Sequence, residues 1–138
     1  MLTFATFVCD FCALEHYRLF PVNEHYVKNI VDELYDPYQT RAVCLANNKK
    51  WRDFTVTAKC SQLGFVDRYN SVVALWYAKR VRYEACEKTF MEDCPMKTHE
   101  AKLAADDAAK KASVMANQAG AKASELASSG FNKLKGLF

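Results

Sequence analysis

The sequence predicts an all-α protein with a small helical bundle, called here the head (residues 1–95), followed by a long C-terminal amphipathic helix, called the arm (residues 96–138). Three observations predict this fold class. The last third of the chain repeats every 11 residues, and a helix start signal stands at Asp36. From Phe65 to Phe90 apolar residues recur at alternating spacings of four and three, with one polar break at Lys79. Sixteen of the eighteen aromatic residues precede residue 99, so we expect the core in the head.

The first half of the head is expected to contain two apolar helices. The first is predicted over Thr3–Leu19, and its stripe at helical spacing consists of Phe4, Phe7, Val8, Phe11, Leu14 and Tyr17. Pro21 ends it. The second is predicted to start after Asn23 and to stop at Tyr35, with Val27, Ile30, Val31 and Leu34 buried.

The third predicted helix has the best local start signal of the head. Asp36 can cap it, Pro37 suits its first position, and Gln39 can bond back to the cap. We expect it to weaken at residues 47–50 and to resume up to Ala58.

The fourth predicted helix is one long element from Ser61 to Asp93. Its seam of large residues should organise the head and includes Phe65, Tyr69, Val72, Trp76 and Tyr83. At about 1.5 Å per residue it would span roughly 45 Å. A helix of that length should project beyond the other three and meet a partner.

The arm contains three consecutive 11-residue units, AKLAADDAAKK, ASVMANQAGAK and ASELASSGFNK, followed by LKGLF. Eleven residues make three turns at about 3.67 residues per turn, so the apolar positions form one nearly straight stripe. The surface expected to dock the arm consists of Ala104, Met115, Leu126, Phe131, Leu134, Leu137 and Phe138.

This pattern resembles the 11-residue amphipathic repeats of late-embryogenesis-abundant proteins, synucleins and perilipins. That resemblance implies a helix that lies on a lipid surface. The apolar face of the arm departs from it, because the face is mostly alanine in the first three units and buries little area. Small faces also suit close packing against another helix, so protein and lipid both remain open as partners.

Six cysteines, all before residue 95, indicate either an oxidising compartment or buried thiols. Cys44 and Cys60 on one predicted helix, with Cys86 and Cys94 on another, resemble the twin-cysteine helical hairpins (CHCH proteins) of mitochondria over residues 40–95. The resemblance implies disulfides among these four cysteines and a mitochondrial location, in the intermembrane space or at the inner membrane, with the cytoplasm as the alternative. The unequal cysteine spacings allow at most one bridge between straight helices.

A second cysteine pattern lies at the N-terminus. Cys9, Cys12 and His16 share one helical face, and His25 could complete a set of four zinc ligands. No glycine turn separates the cysteines, however, so thiols on a buried helix are the preferred interpretation and no metal is expected.

Composition limits the function classes further. The sequence contains no run of 18 apolar residues, so we expect no transmembrane helix. Its net charge of +3 is too small to indicate nucleic-acid binding. Neither a catalytic triad nor a phosphate-binding loop is present in the sequence, so we expect neither an enzyme nor a cofactor.

The leading hypothesis is therefore a non-catalytic structural accessory subunit that binds other protein subunits of a larger, membrane-associated assembly, for which a mitochondrial respiratory complex is the example. Two alternatives remain. One is a peripheral protein that binds lipid surfaces through the arm, and the other is a small cysteine-rich regulatory or RNA-binding factor.

Overall fold

A computed structural model of the chain describes residues 3–23 and 25–135, and the side chains among them up to residue 118. Five α-helices and one short 3-10 helix make up this part, which contains no strand. The helices are α1 (Asp10–Leu19), α2 (Pro37–Thr57), α3 (Phe65–Asn70), α4 (Val72–Ala85) and α5 (Met96–Lys135), and the 3-10 helix is Cys60–Gln62. The predicted all-α class is confirmed.

Two compact units divide the chain, Met1–His99 and Glu100–Phe138. The first contains α1 to α4 and the hydrophobic core. The second consists of the 11-residue repeats, which lie in one uninterrupted helix, α5, as far as Lys135.

Helix α2 begins as its start signal predicts. The Asp36 side chain accepts a hydrogen bond from the Gln39 amide at 2.7 Å, and the Gln39 side chain accepts one from the Asp36 amide. Pro37 occupies the first turn. The helix is kinked at Asn47, whose φ of 56° lies in the left-handed region, where we expected the helix to weaken.

The predicted first helix starts seven residues too early. Residues 6–9 form no helix, and Ala5 has a φ of 49° that no α-helix accommodates. Phe4 is fully buried because this turn directs it into the core. Burial of Phe4 by distant residues therefore overrides the local helical pattern.

The predicted second helix is wrong: described residues between 21 and 36 form turns and extended segments. Asn29 provides the physical reason, because its side-chain oxygen accepts a hydrogen bond from the Val31 amide at 2.8 Å. Such a local bond competes with the helical ladder. The Glu33 side chain adds a bond to the Asn29 amide.

The prediction of a single long fourth helix is also wrong. Ser71 is extended and caps α4 by accepting a hydrogen bond from the Ala74 amide, which separates α4 from α3. Helix α4 ends at Ala85, and Glu87 then adopts a φ of 58°. None of the described helices of the head is therefore long enough to project toward a partner in the way predicted from Ser61–Asp93.

Helix α4 buries a different face from the expected seam. Val72 and Tyr83 are exposed and Trp76 is half-buried. The side chains that α4 does bury are Val73, Ala74, Tyr77, Ala78, Val81 and Ala85. They pack mainly against α2, and Arg41 of α2 donates to the Ala85 carbonyl at 3.2 Å.

Tyr69, on α3, is the centre of the aromatic core. Its ring lies 4.6 Å from His16 and 5.7 Å from Trp51, centroid to centroid, and it stacks on Trp51 at 16°. The other rings in contact with it are Phe4, Phe20, His25 and Phe65. One side chain thus joins the N-terminal stretch to α2 and α3.

Replacing Tyr69 with alanine should lower the free energy of unfolding by about 3–5 kcal/mol, because a buried ring is lost and its neighbours cannot all close the cavity. Tyr83→Ala is the matched control, since Tyr83 is 40% exposed, and should cost about 1 kcal/mol or less. Urea denaturation followed by circular dichroism measures both. Equal losses in the two variants would contradict the central position of Tyr69.

Candidate functional site

The apolar face of α1 is on the outside of the first unit. Phe11 is 73% exposed and Leu14 66% exposed, and these two residues are neighbours at i and i+3. Phe7 and Tyr17 of the predicted buried stripe are exposed as well. The one side chain that α1 buries fully is His16. The helix therefore buries the face that carries His16, and presents large apolar groups to solvent.

The segment between α1 and α2 has the same character. Ile30, Val31 and Leu34 are 61%, 83% and 93% exposed, whereas Val27 is buried as predicted. The Tyr17 hydroxyl donates to the Val27 carbonyl at 3.0 Å and fastens the segment to α1. Exposed large apolar side chains in such numbers are typical of a surface that binds another molecule. We call the exposed large side chains of α1 and of the segments on either side of it the N-terminal apolar surface, which consists of Phe7, Phe11, Leu14, Tyr17, Ile30, Val31 and Leu34.

The expected docking surface of the arm lies partly within the described side chains. Ala104 and Met115 are exposed, Met115 by 68%. Leu126, Phe131 and Leu134 lie on α5, but their side chains are outside the described part. Leu137 and Phe138 lie outside the described residues altogether.

The four cysteines predicted to lie on two helices are distributed over four different parts of the head. Cys44 lies on α2, but Cys60 belongs to the 3-10 helix, Cys86 caps the end of α4 and Cys94 lies between α4 and α5. All six cysteines of the chain are free thiols in the structure. Cys60 and Cys94 pack in a small apolar cluster with Ala58 and Val73. These two cysteines therefore contribute to packing as free thiols.

The structure contains a buried histidine pair, whose two members the sequence indicates only as possible zinc ligands. The Nδ1 atoms of His16 and His25 are 3.1 Å apart, so one ring donates a hydrogen bond to the other. Phe20 stacks on His25 at 3.8 Å and 9°, and Tyr69 contacts both imidazoles. The nine-residue separation carries no recognisable signal, because the contact depends on the turn between α1 and the following segment.

This environment disfavours charge on either imidazole. Burial, and then repulsion from His25, lowers the pKa of His16 to about 4. Burial also lowers the pKa of His25. Both rings are therefore neutral at physiological pH and act as members of the aromatic core.

The candidate zinc set is not assembled. His16 and His25 do meet, but no group of three or more histidine, cysteine or acidic side chains in the described part of the chain is placed to hold a metal ion. The pair is instead enclosed by the rings of Phe20, Phe65 and Tyr69.

A cavity of about 470 Å³ opens beside the N-terminal stretch. Residues 6–8 form one wall, and Asn48, Lys49, Trp51 and Arg52 of α2 contribute to the other. Asn48 holds the wall together, since its amide donates to the Phe7 carbonyl at 2.8 Å and accepts from the Phe7 amide at 2.7 Å. Asp53 pairs with both Lys49 and Arg52, which reduces the positive charge at the rim.

Comparisons with known proteins do not narrow the function. No protein-family model matches the sequence, and no match is found among curated proteins or solved structures. None of the described helices has both the length and the hydropathy needed to cross a bilayer. The functional argument therefore depends on the surfaces of this chain alone.

The histidine pair predicts an acid-dependent loss of stability. Since the folded pKa of His16 lies below its ordinary value of 6.5, protons bind the unfolded state more tightly. The stability that depends on neutral His16 is fully present above pH 6.5 and declines as the pH falls toward 4. The loss attributable to His16 should be on the order of 2–3 kcal/mol.

Urea denaturation at both ends of this pH range measures the loss. His16→Phe keeps a buried ring without a titrating nitrogen, and the carboxylates titrate alike in both proteins. The variant should therefore lose less stability on acidification than the wild type. If the two proteins lose the same amount, His16 does not titrate as described.

Proposed function

We propose that this chain is a non-catalytic accessory subunit that binds a protein partner within a larger, membrane-associated assembly. The observation that carries the proposal is the N-terminal apolar surface, where Phe11, Leu14, Ile30, Val31 and Leu34 are each more than 60% exposed. A folded chain that keeps so many large apolar groups in water gains stability when a partner covers them.

The magnitudes support a protein partner. Covering one exposed leucine or phenylalanine contributes about 1.5–3 kcal/mol of gross free energy. Several such side chains can therefore offset the entropy lost on association and hold a stable complex. Asp32 and Glu33 lie between Val31 and Leu34 in the sequence and accept hydrogen bonds from Asn29.

The setting of the assembly remains part of the proposal. Membrane association rests on the 11-residue repeats of the arm. A mitochondrial location, with the cytoplasm as the alternative, rests on the sequence resemblance of the cysteines. The free thiols give that location no further support.

The matched pair Leu14→Glu and Leu75→Glu tests docking. Both leucines lie on helices and are about equally exposed, at 66% and 51%, but Leu75 is on α4 and outside the N-terminal apolar surface. We expect the tagged chain, isolated gently from its own cells, to migrate with defined subunits in a stoichiometric complex. Leu14→Glu should dissociate that complex, since it would bury an unpaired charge, whereas Leu75→Glu should retain it.

Two results would count against the proposal. One is a wild-type chain that migrates as a monomer under native conditions. The other is a complex that Leu14→Glu leaves intact, because the partner would then bind elsewhere.

A second candidate function is supported by a separate observation. Helix α5 carries the 11-residue repeats without interruption to Lys135, and Val114 and Met115 on it are 55% and 68% exposed. This arrangement suits a peripheral protein whose arm lies on an anionic membrane.

Flotation of the full chain with phosphatidylserine vesicles tests the lipid-binding alternative. It predicts binding that weakens severalfold in Val114→Asp/Met115→Asp and at high salt, because apolar contact and charge attraction both contribute. Leu75→Glu again serves as the control and should bind like the wild type. A chain that stays with the soluble fraction contradicts lipid binding and leaves protein docking.

A further inference from the structure

Two thiols stand together where α1 begins. Cys9 is the residue before the first turn and Cys12 lies within that turn, so the sequence Cys9-Asp10-Phe11-Cys12 forms a C-x-x-C pair on one helix start. The Ala13 amide donates to the Cys9 carbonyl at 2.9 Å, which fixes Cys9 against the turn. Cys9 is exposed and Cys12 is half-buried, so an incoming molecule reaches Cys9 first.

The hydrogen bonds of the pair give the two thiols different chemistry. Hydrogen bonding to Cys12 lowers the pKa of the Cys9 thiol. The bond to Cys9, followed by burial, raises the pKa of Cys12. Unpaired amides at a helix start also favour negative charge. Cys9 is thus the nucleophile of the pair.

We propose that Cys9 and Cys12 form a redox-active dithiol, in which Cys9 attacks a disulfide of a small molecule or a peptide and Cys12 resolves the product. This site is separate from the docking proposed above and does not depend on it. The shared requirement is an accessible sulfur–sulfur bond on the reacting molecule.

The exchange balances in two steps. The Cys9 thiolate attacks one sulfur of the external disulfide, whose sulfur–sulfur bond breaks, and the first thiol leaves with a proton. Cys12 then loses its proton and attacks Cys9 in the mixed disulfide, which releases the second thiol. Cys9 and Cys12 are oxidised by two electrons, and the external disulfide is reduced to two thiols.

Other exposed cysteines lack this arrangement. Cys44 lies in the middle of its helical segment, where backbone amides are used by the helix, and Cys86 lies at the carboxyl end of α4, where the unpaired groups are carbonyls. Cys44 and Cys86 are exposed, as Cys9 is. They therefore serve as internal controls for exposure alone.

The test uses the full reduced chain and oxidised glutathione at neutral pH. Samples are quenched with acid, the remaining thiols are alkylated, and peptides are identified by mass spectrometry. In the wild type we expect a Cys9–Cys12 disulfide to form severalfold faster than any modification of Cys44 or Cys86. Cys12→Ser should accumulate glutathione on Cys9, because the resolving thiol is gone.

Cys9→Ser separates reactivity from folding. Serine is a favoured residue before a helix, so α1 should persist, and the far-ultraviolet spectrum checks this. The variant should abolish fast oxidation at Cys12, while Cys44→Ser and Cys86→Ser should leave the Cys9–Cys12 rate unchanged. The proposal is overturned if Cys9 reacts no faster than Cys44 and Cys86, or if Cys12→Ser yields no mixed disulfide at Cys9.

Discussion

The contact of Tyr69 with the rings around it is the interaction on which the first unit depends. It brings Phe4 and His16 from the N-terminal stretch against Trp51 of α2. Without it the chain before α2 has few apolar contacts of its own, because most of its large side chains point to solvent. The aromatic core therefore both anchors residues 3–27 and determines which face of α1 remains outside.

This constraint explains the apolar surface. Once His16 and Phe20 are committed to the core, the helical geometry of α1 places Phe11 and Leu14 on the opposite side. Asn29 likewise holds Val31 in a local turn, in place of the predicted helix that would have buried Ile30 and Val31. The same packing that makes the first unit stable thus supports the proposal that a partner covers the N-terminal apolar surface. The C-x-x-C pair starts the same helix, and Cys9 is exposed at its N-terminal end.

Features that depend on neighbouring residues could be predicted from the sequence, whereas features that depend on distant packing could not. The Asp36 capping box depends on neighbours within four residues, so the sequence was sufficient. The alternating spacing from Phe65 to Phe90 suggested one helix, but the structure distributes these residues over α3, α4 and the segment after α4, because Ser71 caps a new helix. The Ser71 cap was a readable local signal. The meeting of His16 with His25 was not, since it follows from a turn whose conformation is fixed by distant rings. For the same reason Ile30, Val31 and Leu34 were expected inside.

The most direct test compares phenylalanines in and around α1 that differ in exposure. Hydroxyl-radical footprinting of the isolated chain, read by mass spectrometry, oxidises phenylalanine rings according to their exposure. Phe11 is 73% exposed, whereas Phe4 and Phe20 are 0% and 6% exposed. The account predicts rapid oxidation of Phe11 with Phe4 and Phe20 protected. Oxidation of Phe4 and Phe20 at the rate of Phe11 would contradict it, because the N-terminal stretch would then not be anchored around Tyr69.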